Sequence, residues 1–191
     1  QLSKGQITYR CICSRKHIEE TLRANGAELG RHEDLIYPGS CRNQNRQEEK
    51  AAIRVALPSS CVLQFKDRIK GVQSQDLSTQ LGDFVLRRAD GLFTYQLAVV
   101  VDDHLQGITH IVRGEDLLSN TARQLYLQQI LGYQIPSYLH LPLVTNAAGE
   151  KLSKQTQALE IDTSNTDAIL NSLRRAAIHL GLNDDRKELD K

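Results

Sequence analysis

Two lysines three positions apart, Lys151 and Lys154, bracket Leu152 and Ser153 in the stretch Lys151-Leu152-Ser153-Lys154-Gln155. The stretch follows an apolar run, Tyr138-Leu139-His140-Leu141-Pro142-Leu143-Val144, and an Asn146-Ala147-Ala148-Gly149 turn, so it reads as a loop. Two ammonium groups and a hydroxyl on a loop make a cation clamp, which can hold a triphosphate while its charge redistributes in a transition state. A lysine pair on a loop is more often plain solvated surface. Alone, it fixes no function.

A second group of chemistry-bearing residues lies near the start of the chain. Cys11 and Cys13 form a C-x-C pair, and Cys41 follows Tyr37 in Y-x-x-x-C. In a reducing compartment, three neighbouring cysteines read as thiolates on a metal rather than as disulfides. Tetrahedral zinc takes four ligands, so a fourth is needed: the Tyr37 phenolate oxygen, His32, His17 or a water. The competing reading is reduced structural thiols with no metal. Cys61 sits on the apolar face of an alternating segment and reads as a plain buried thiol. A closed metal site would be structural, holding together a segment too polar to fold on its own core.

Composition narrows the partners. The 191 residues suit one domain or two small ones. The net charge of +1 excludes a global polyelectrolyte attraction to nucleic acid, and residues 1–54 carry only a slight basic excess. No apolar run is long enough to span a membrane and no signal peptide opens the chain, so a cytoplasmic protein is expected. Methionine is absent, even at position 1, and Gln1 is therefore expected to lie inside a longer gene product.

The elements that must position these residues follow from patterning. Ile7 to Cys13 alternates like a strand, and Ser14 is an N-cap for a helix running to about Asn25-Gly26. Residues 26–50 are polar and turn-rich. Ala52 to Leu57 alternates as a strand ended by Pro58, and Cys61 to Phe65 alternates likewise. Residues 66–82 read as irregular. Phe84 to Leu86 is a strand, and the apolar run Leu97 to Val101 suits an element buried on both sides. Ile108 to Val112 is a strand leading into Arg113-Gly114-Glu115-Asp116. A helix capped by Ser119 or Asn120 follows, with Leu117, Tyr126, Leu127, Ile130 and Leu131 on its apolar side and Gly132 closing it. Strand, crossover helix and strand predict a parallel α/β sheet over residues 83–150. Residues 164–182 form a last helix, capped by Ser164 or Thr166 and closed by Gly181.

Several of these motifs together resemble a known family. Asp90-Gly91-Leu92-Phe93-Thr94-Tyr95 through Asp102-Asp103-His104, then Ile111 to Asp116, Leu141-Pro142-Leu143 and Lys151 to Gln155, resemble the second half of the catalytic domain of class I glutamyl-type aminoacyl-tRNA synthetases. The lysine loop looks like that class's K-M-S-K-S signature, with Leu152 for Met and Gln155 for the final Ser. Within the group, the C-x-C…Y-x-x-x-C cluster is most similar to the glutamyl-Q branch, shortened paralogues without an anticodon-binding domain. The resemblance covers essentially all of residues 1–160.

The implied fold is α/β, the second half of a class I Rossmann-like catalytic domain with a zinc-binding insertion and a C-terminal helical segment. Residues 1–82 would be the zinc-binding insertion, 83–155 the C-terminal catalytic half and 156–191 the helical segment. The resemblance implies that Tyr95 and Arg113 contact the substrate glutamate, the Arg113 guanidinium matching its side-chain carboxylate. It implies that Lys154 binds ATP and that Lys151 assists, with Mg²⁺ accompanying the nucleotide. Cys11, Cys13, Tyr37 and Cys41 would ligate zinc. Asp102, Asp103 and His104 match the family, yet local hydrogen bonds at an element's end explain them equally well. The bland alternatives are a core aromatic for Tyr95 and an ion pair with Glu115 or Asp116 for Arg113.

The implied activity is ATP-dependent activation of glutamate, then transfer of the glutamyl group to queuosine in the anticodon of tRNA(Asp), by a monomer. The sequence departs from the class at one point: no H-I-G-H-like motif occurs. The nucleotide pocket is therefore expected to be incomplete, and the chain inactive unless the missing half is supplied. Two other readings stand beside this one: part of an ordinary glutamyl-tRNA synthetase, and a non-catalytic, zinc-stabilised RNA-binding module.

Overall fold

A computed structural model describes residues 7–30, 35–146, 148–152 and 160–182. The chain divides into two compact units, one formed by Gln1–Ile111 and Ser119–Tyr138, the other by Val112–Leu118 and Leu139–Lys191.

Unit 1 starts with strand β1 (Thr8–Cys11) and helix α1 (Arg15–Ala24). The Ser14 side chain accepts a hydrogen bond from the His17 backbone N–H at 3.2 Å, satisfying a donor the helix leaves open. Strands β2 (Ala52–Val55) and β5 (Val85–Arg87) join β1 in an antiparallel sheet of order β1-β2-β5, with Cys11 opposite Ala52 and Tyr9 opposite Arg54.

Strands β3 (Val62–Asp67) and β4 (Gly71–Asp76) form a hairpin, Asp67 facing Gly71. The Asp67 carboxylate accepts the N–H groups of Ile69 and Lys70 and so shapes its turn. A short helix, α2 (Leu77–Gln80), follows directly, capped by Asp76. Residues 66–82 are thus ordered rather than irregular. Their alternation is hidden because β4 is an edge strand carrying Gln, Ser and Asp, and only Val72 is a large apolar residue there, itself well exposed.

The apolar run at Leu97 is not buried on two sides. It lies in helix α3 (Tyr95–Leu105), of which only Val100 is fully buried. Thr94 starts that helix, its carbonyl accepting the N–H groups of Leu97 and Ala98. Strand β6 (His110–Gly114) comes next. A 3₁₀ turn over Glu115–Leu117 then runs into helix α4 (Leu118–Leu131). Ser119 and Asn120 lie inside α4 and do not cap it. The other end matches its signal: Gly132 takes φ +70°, and the N–H groups of Gly132 and Tyr133 reach back to Gln129 and Gln128.

Strand β7 (Ser137–Leu141) completes a second sheet of order β4-β3-β7-β6. Its pairing with β3 is parallel, Asp67 facing Tyr138. The parallel sheet expected over residues 83–150 does not form as one sheet. Strand β5 pairs antiparallel with β2 instead, and the architecture is mixed.

The core of unit 1 gathers Val55, Leu57, Leu63, Leu77, Leu86, Val100, Leu125, Leu127 and Tyr138. Each buried aliphatic side chain of this kind contributes about 1.5–3 kcal/mol. A smaller cluster of Cys11, Ile18, Tyr37 and Cys41 packs with Tyr9, Leu22 and Leu35. Unit 2 carries helix α5 (Thr166–His179), capped by Asn165, whose side chain accepts the Ala168 N–H, rather than by Ser164 or Thr166. Gly181, at φ +73°, closes it as expected.

Candidate functional site

The cysteine cluster is assembled by three local structures. Cys11 ends β1, Cys13 lies before the Ser14 cap, and Cys41 follows the Tyr37-Pro38-Gly39 turn. The sulfur atoms of Cys11, Cys13 and Cys41 lie within 4.8 Å of one another, with Cys13 and Cys41 3.6 Å apart. The Tyr37 hydroxyl joins them, 3.3 Å from the Cys11 sulfur and 3.6 Å from that of Cys13, and it accepts the Cys41 N–H at 2.9 Å. His17 is not part of this group, and His32 lies outside the described residues. Zn–S bonds of about 2.3 Å and a Zn–O bond of about 2.0 Å require tetrahedral edges of roughly 3.5–3.8 Å. The three measured separations of 3.3 to 3.6 Å fall close to that. With all three sulfurs within 4.8 Å of one another, the donor set of three sulfurs and one oxygen is of the kind a zinc ion takes.

Tyr37 is held by residues that sequence patterning did not flag. The Arg54 guanidinium lies 3.8 Å from the centre of the Tyr37 ring, and one of its amino groups donates to the Asp83 carbonyl at 2.7 Å. The Asp83 carboxylate in turn accepts Tyr9 Oη at 2.7 Å and the Leu57 N–H at 2.8 Å. Gly82 adopts φ +70° beside Tyr37, and a Cβ there would come within 2.8 Å of the Tyr37 carbonyl oxygen. Burial pushes the Tyr37 phenol well above its ordinary range, and pushes the Cys13 thiol up to about 11. Burial also works against the Cys41 thiolate. The Ile12 N–H and hydrogen bonds from Tyr37, Cys13 and Cys11 outweigh it, so Cys41 is lowered.

In unit 2, Arg113 is placed by β6, and its guanidinium is tied down from two sides. Nε donates to Nε2 of His140 at 3.0 Å, and Nη2 reaches the Leu117 carbonyl at 3.4 Å. His140 lies on β7 and is completely buried. Gly114 leaves room for the chain to fold back, since a Cβ there would lie 2.5 Å from Oδ1 of Asp116. Oδ2 of Asp116 meets Nζ of Lys151 at 2.6 Å. That hydrogen bond is the main reason the Asp116 carboxyl titrates below its ordinary range; partial burial opposes it, and the Arg113 charge adds to it.

The loop carrying Lys151 is built around Asn146. Its side-chain oxygen accepts the N–H groups of Ala148 and Glu150, and Gly149 takes φ +80°. Thr145 and Lys151 form an isolated antiparallel bridge, which presents Lys151 at the loop's exit. The expected turn is therefore present, although Ala147 lies outside the described residues. So do Ser153, Lys154 and Gln155.

Tyr95 opens α3 in unit 1 with half of its surface exposed, so it is not a core aromatic. Beside it, Gln96 donates to Asn120 at 2.7 Å and accepts from Gln124 at 3.1 Å, which joins α3 to α4. Asp102, Asp103 and His104 end α3: their carbonyls accept the N–H groups of Gln106, Ile108 and Gly107. The His104 ring also stacks on Tyr133, with centroids 3.7 Å apart.

Comparison with known proteins identifies the family. Residues 1–185 match the family described as tRNA synthetases class I (E and Q), catalytic domain. The chain is 52% identical over 184 residues to a protein of Cupriavidus metallidurans named glutamyl-Q tRNA(Asp) synthetase, covering 95% of this chain and 57% of that one. It is 51% identical over 187 residues to a protein of the same name from Burkholderia cenocepacia, covering 97% and 61%. The chain thus spans about three fifths of the length of these relatives. Among solved structures, glutamate–tRNA synthetase of Elizabethkingia anophelis superposes with a TM-score of 0.63 at 27% identity, over 80% of this chain and 34% of that one. A glutamate tRNA ligase of Elizabethkingia meningosepticum gives 0.65 at 28%, over 81% and 33%. No described helix is long and apolar enough to cross a membrane. With 185 of its residues matched, the chain belongs to the class I tRNA synthetase (E and Q) catalytic-domain family.

Proposed function

We propose that this chain forms part of an enzyme that activates glutamate with ATP and passes it to queuosine in the anticodon of tRNA(Asp). Relatives named glutamyl-Q tRNA(Asp) synthetase, about half identical over nearly the whole chain, carry the reading. In the first step a carboxylate oxygen of glutamate bonds to the α-phosphorus of ATP, and pyrophosphate leaves with the electrons of the broken P–O bond. In the second, the glutamyl group passes to the tRNA and AMP is released. Catalysis of this kind is mostly positioning and charge stabilisation.

The roles of individual residues belong to the same proposal. Arg113 offers its guanidinium to the glutamate side-chain carboxylate, and Tyr95, exposed at the first turn of α3, is a glutamate contact. Lys154, with Lys151 assisting, binds the phosphates of Mg·ATP. Cys11, Cys13, Tyr37 and Cys41 hold a zinc ion, which when bound neutralises the crowded thiolates and pins β1 to the Tyr37 turn. The domain assignment is the second half of a Rossmann-like catalytic domain. No H-I-G-H-like motif occurs in the sequence, and the chain spans about three fifths of its relatives' length, so activity is assigned to a protein that combines this chain with such an element.

The alternative of an ordinary glutamyl-tRNA synthetase draws on the likeness to the two Elizabethkingia structures. Labelled glutamate offered to tRNA(Asp) with and without queuosine separates the two. Labelling only of the queuosine-bearing tRNA supports the proposal; labelling of tRNA(Glu) alone supports the alternative.

A further inference from the structure

His140 has no place in the chemistry described so far, yet it is fully buried and its ring nitrogen faces Arg113. A histidine hidden to 0% exposure must have its polar atoms accounted for. Nε–H of the Arg113 guanidinium is a fixed donor, so Nε2 of His140, 3.0 Å away, must be the acceptor. The ring is therefore neutral, with its proton on Nδ1. Arginine cannot supply an acceptor, and only this tautomer avoids two donors facing each other.

The direction of the bond matters for Arg113. A guanidinium is planar, and it meets a carboxylate through paired N–H groups in a fixed fork. With Nε bonded to His140 and Nη2 tied to the Leu117 carbonyl, two of the three guanidinium nitrogens are held, which sets the rotation of that fork. His140 is on β7 and Arg113 on β6, so two strands of one sheet fix the guanidinium at its inner edge.

We propose that His140 is the positioning residue that aims the Arg113 guanidinium at the substrate's carboxylate. The proposal rests on the reading of Arg113 as the glutamate contact. His140 itself does not touch the substrate. It acts as a neutral acceptor, and its effect is confined to the amino-acid substrate.

Three variants of the natural gene product test this: His140→Phe, His140→Gln and the control Leu127→Ala. Phenylalanine fills the space without an acceptor, whereas the glutamine amide oxygen can accept in place of Nε2. His140→Phe should raise the KM for glutamate about tenfold, the size expected when a buried donor loses its partner, and leave the KM for ATP within about twofold. His140→Gln should restore the glutamate KM to within about threefold of wild type. Leu127→Ala, which only empties core volume, should lower Tm without moving the glutamate KM. An unchanged glutamate KM in His140→Phe, or equal increases for both substrates, overturns the proposal. A second measurement stands even where a variant does not fold: long-range ¹H–¹⁵N spectra of the wild type should show Nε2 of His140 as the unprotonated ring nitrogen. A proton on Nε2 overturns it. A wild-type enzyme with no glutamate-dependent activity but the expected tautomer would strike the functional reading and leave the Arg113–His140 bond standing.

Discussion

Nζ of Lys151 lies 2.6 Å from Oδ2 of Asp116, so the first lysine of the loop is held by a carboxylate thirty-five positions earlier. Both side chains are substantially exposed, and pairs of this kind contribute about 1 kcal/mol or less. Asp116→Asn should therefore shift Tm by less than about 4 °C in a chain of this size. The sign of its pH dependence follows from the lowered carboxyl. The stabilisation is present above the unfolded aspartate value and lost as pH falls through the folded one. Thermal melts of wild type and Asp116→Asn should differ at neutral pH and converge in acid; a difference that grows on acidification contradicts the pairing.

The cysteine cluster predicts about one zinc ion per chain by metal analysis. Chelation should lower Tm by about 5 °C or more, because the ion's binding energy is folding energy for residues around Tyr37. Tyr37→Phe keeps the ring under Arg54 but removes the oxygen, so zinc affinity should fall at least about tenfold. Lowering the pH should release the metal, since protons compete with it for the Cys11, Cys13 and Cys41 thiolates. Metal-free protein with unchanged stability contradicts the site.

Gly82 tests how that site is held. Alanine there must adopt φ +70°, at about 1–2 kcal/mol, and must also push its Cβ against the Tyr37 carbonyl. Gly82→Ala should destabilise the protein by more than about 2 kcal/mol and lower zinc occupancy together with it. Loss of stability with full zinc occupancy would separate Gly82 from the metal site.

Much of this was legible in sequence where a signal is local. Ser14 and Gly132 mark helix ends because capping is a short-range hydrogen-bond problem, and the three cysteines announce themselves by type. Strand β4 was not legible, because an edge strand facing water needs no apolar alternation. The run Leu97–Val101 misleads because β-branched valines suit a buried element, yet the Thr94 carbonyl starts a helix there. The roles of Arg54 and His140 depend on partners 17 and 27 positions away, Tyr37 and Arg113. No spacing rule connects such pairs.

Lys154 is the group assigned to the phosphates. In the natural gene product, Lys154→Ala should lower the rate of glutamate activation at least about a hundredfold, the scale of losing one charge-stabilising group, and leave Tm nearly unchanged. Steady-state kinetics at saturating glutamate check it, and an unaltered rate removes the role.

Glutamate-dependent exchange of labelled pyrophosphate into ATP, measured on the natural gene product with no tRNA present, bears most directly on the central claim. The account predicts robust exchange with glutamate, none without it, and a strong loss in Arg113→Ala. Absence of exchange until tRNA is added would contradict the glutamyl-Q assignment. Exchange that ignores glutamate altogether would contradict amino-acid activation at this site.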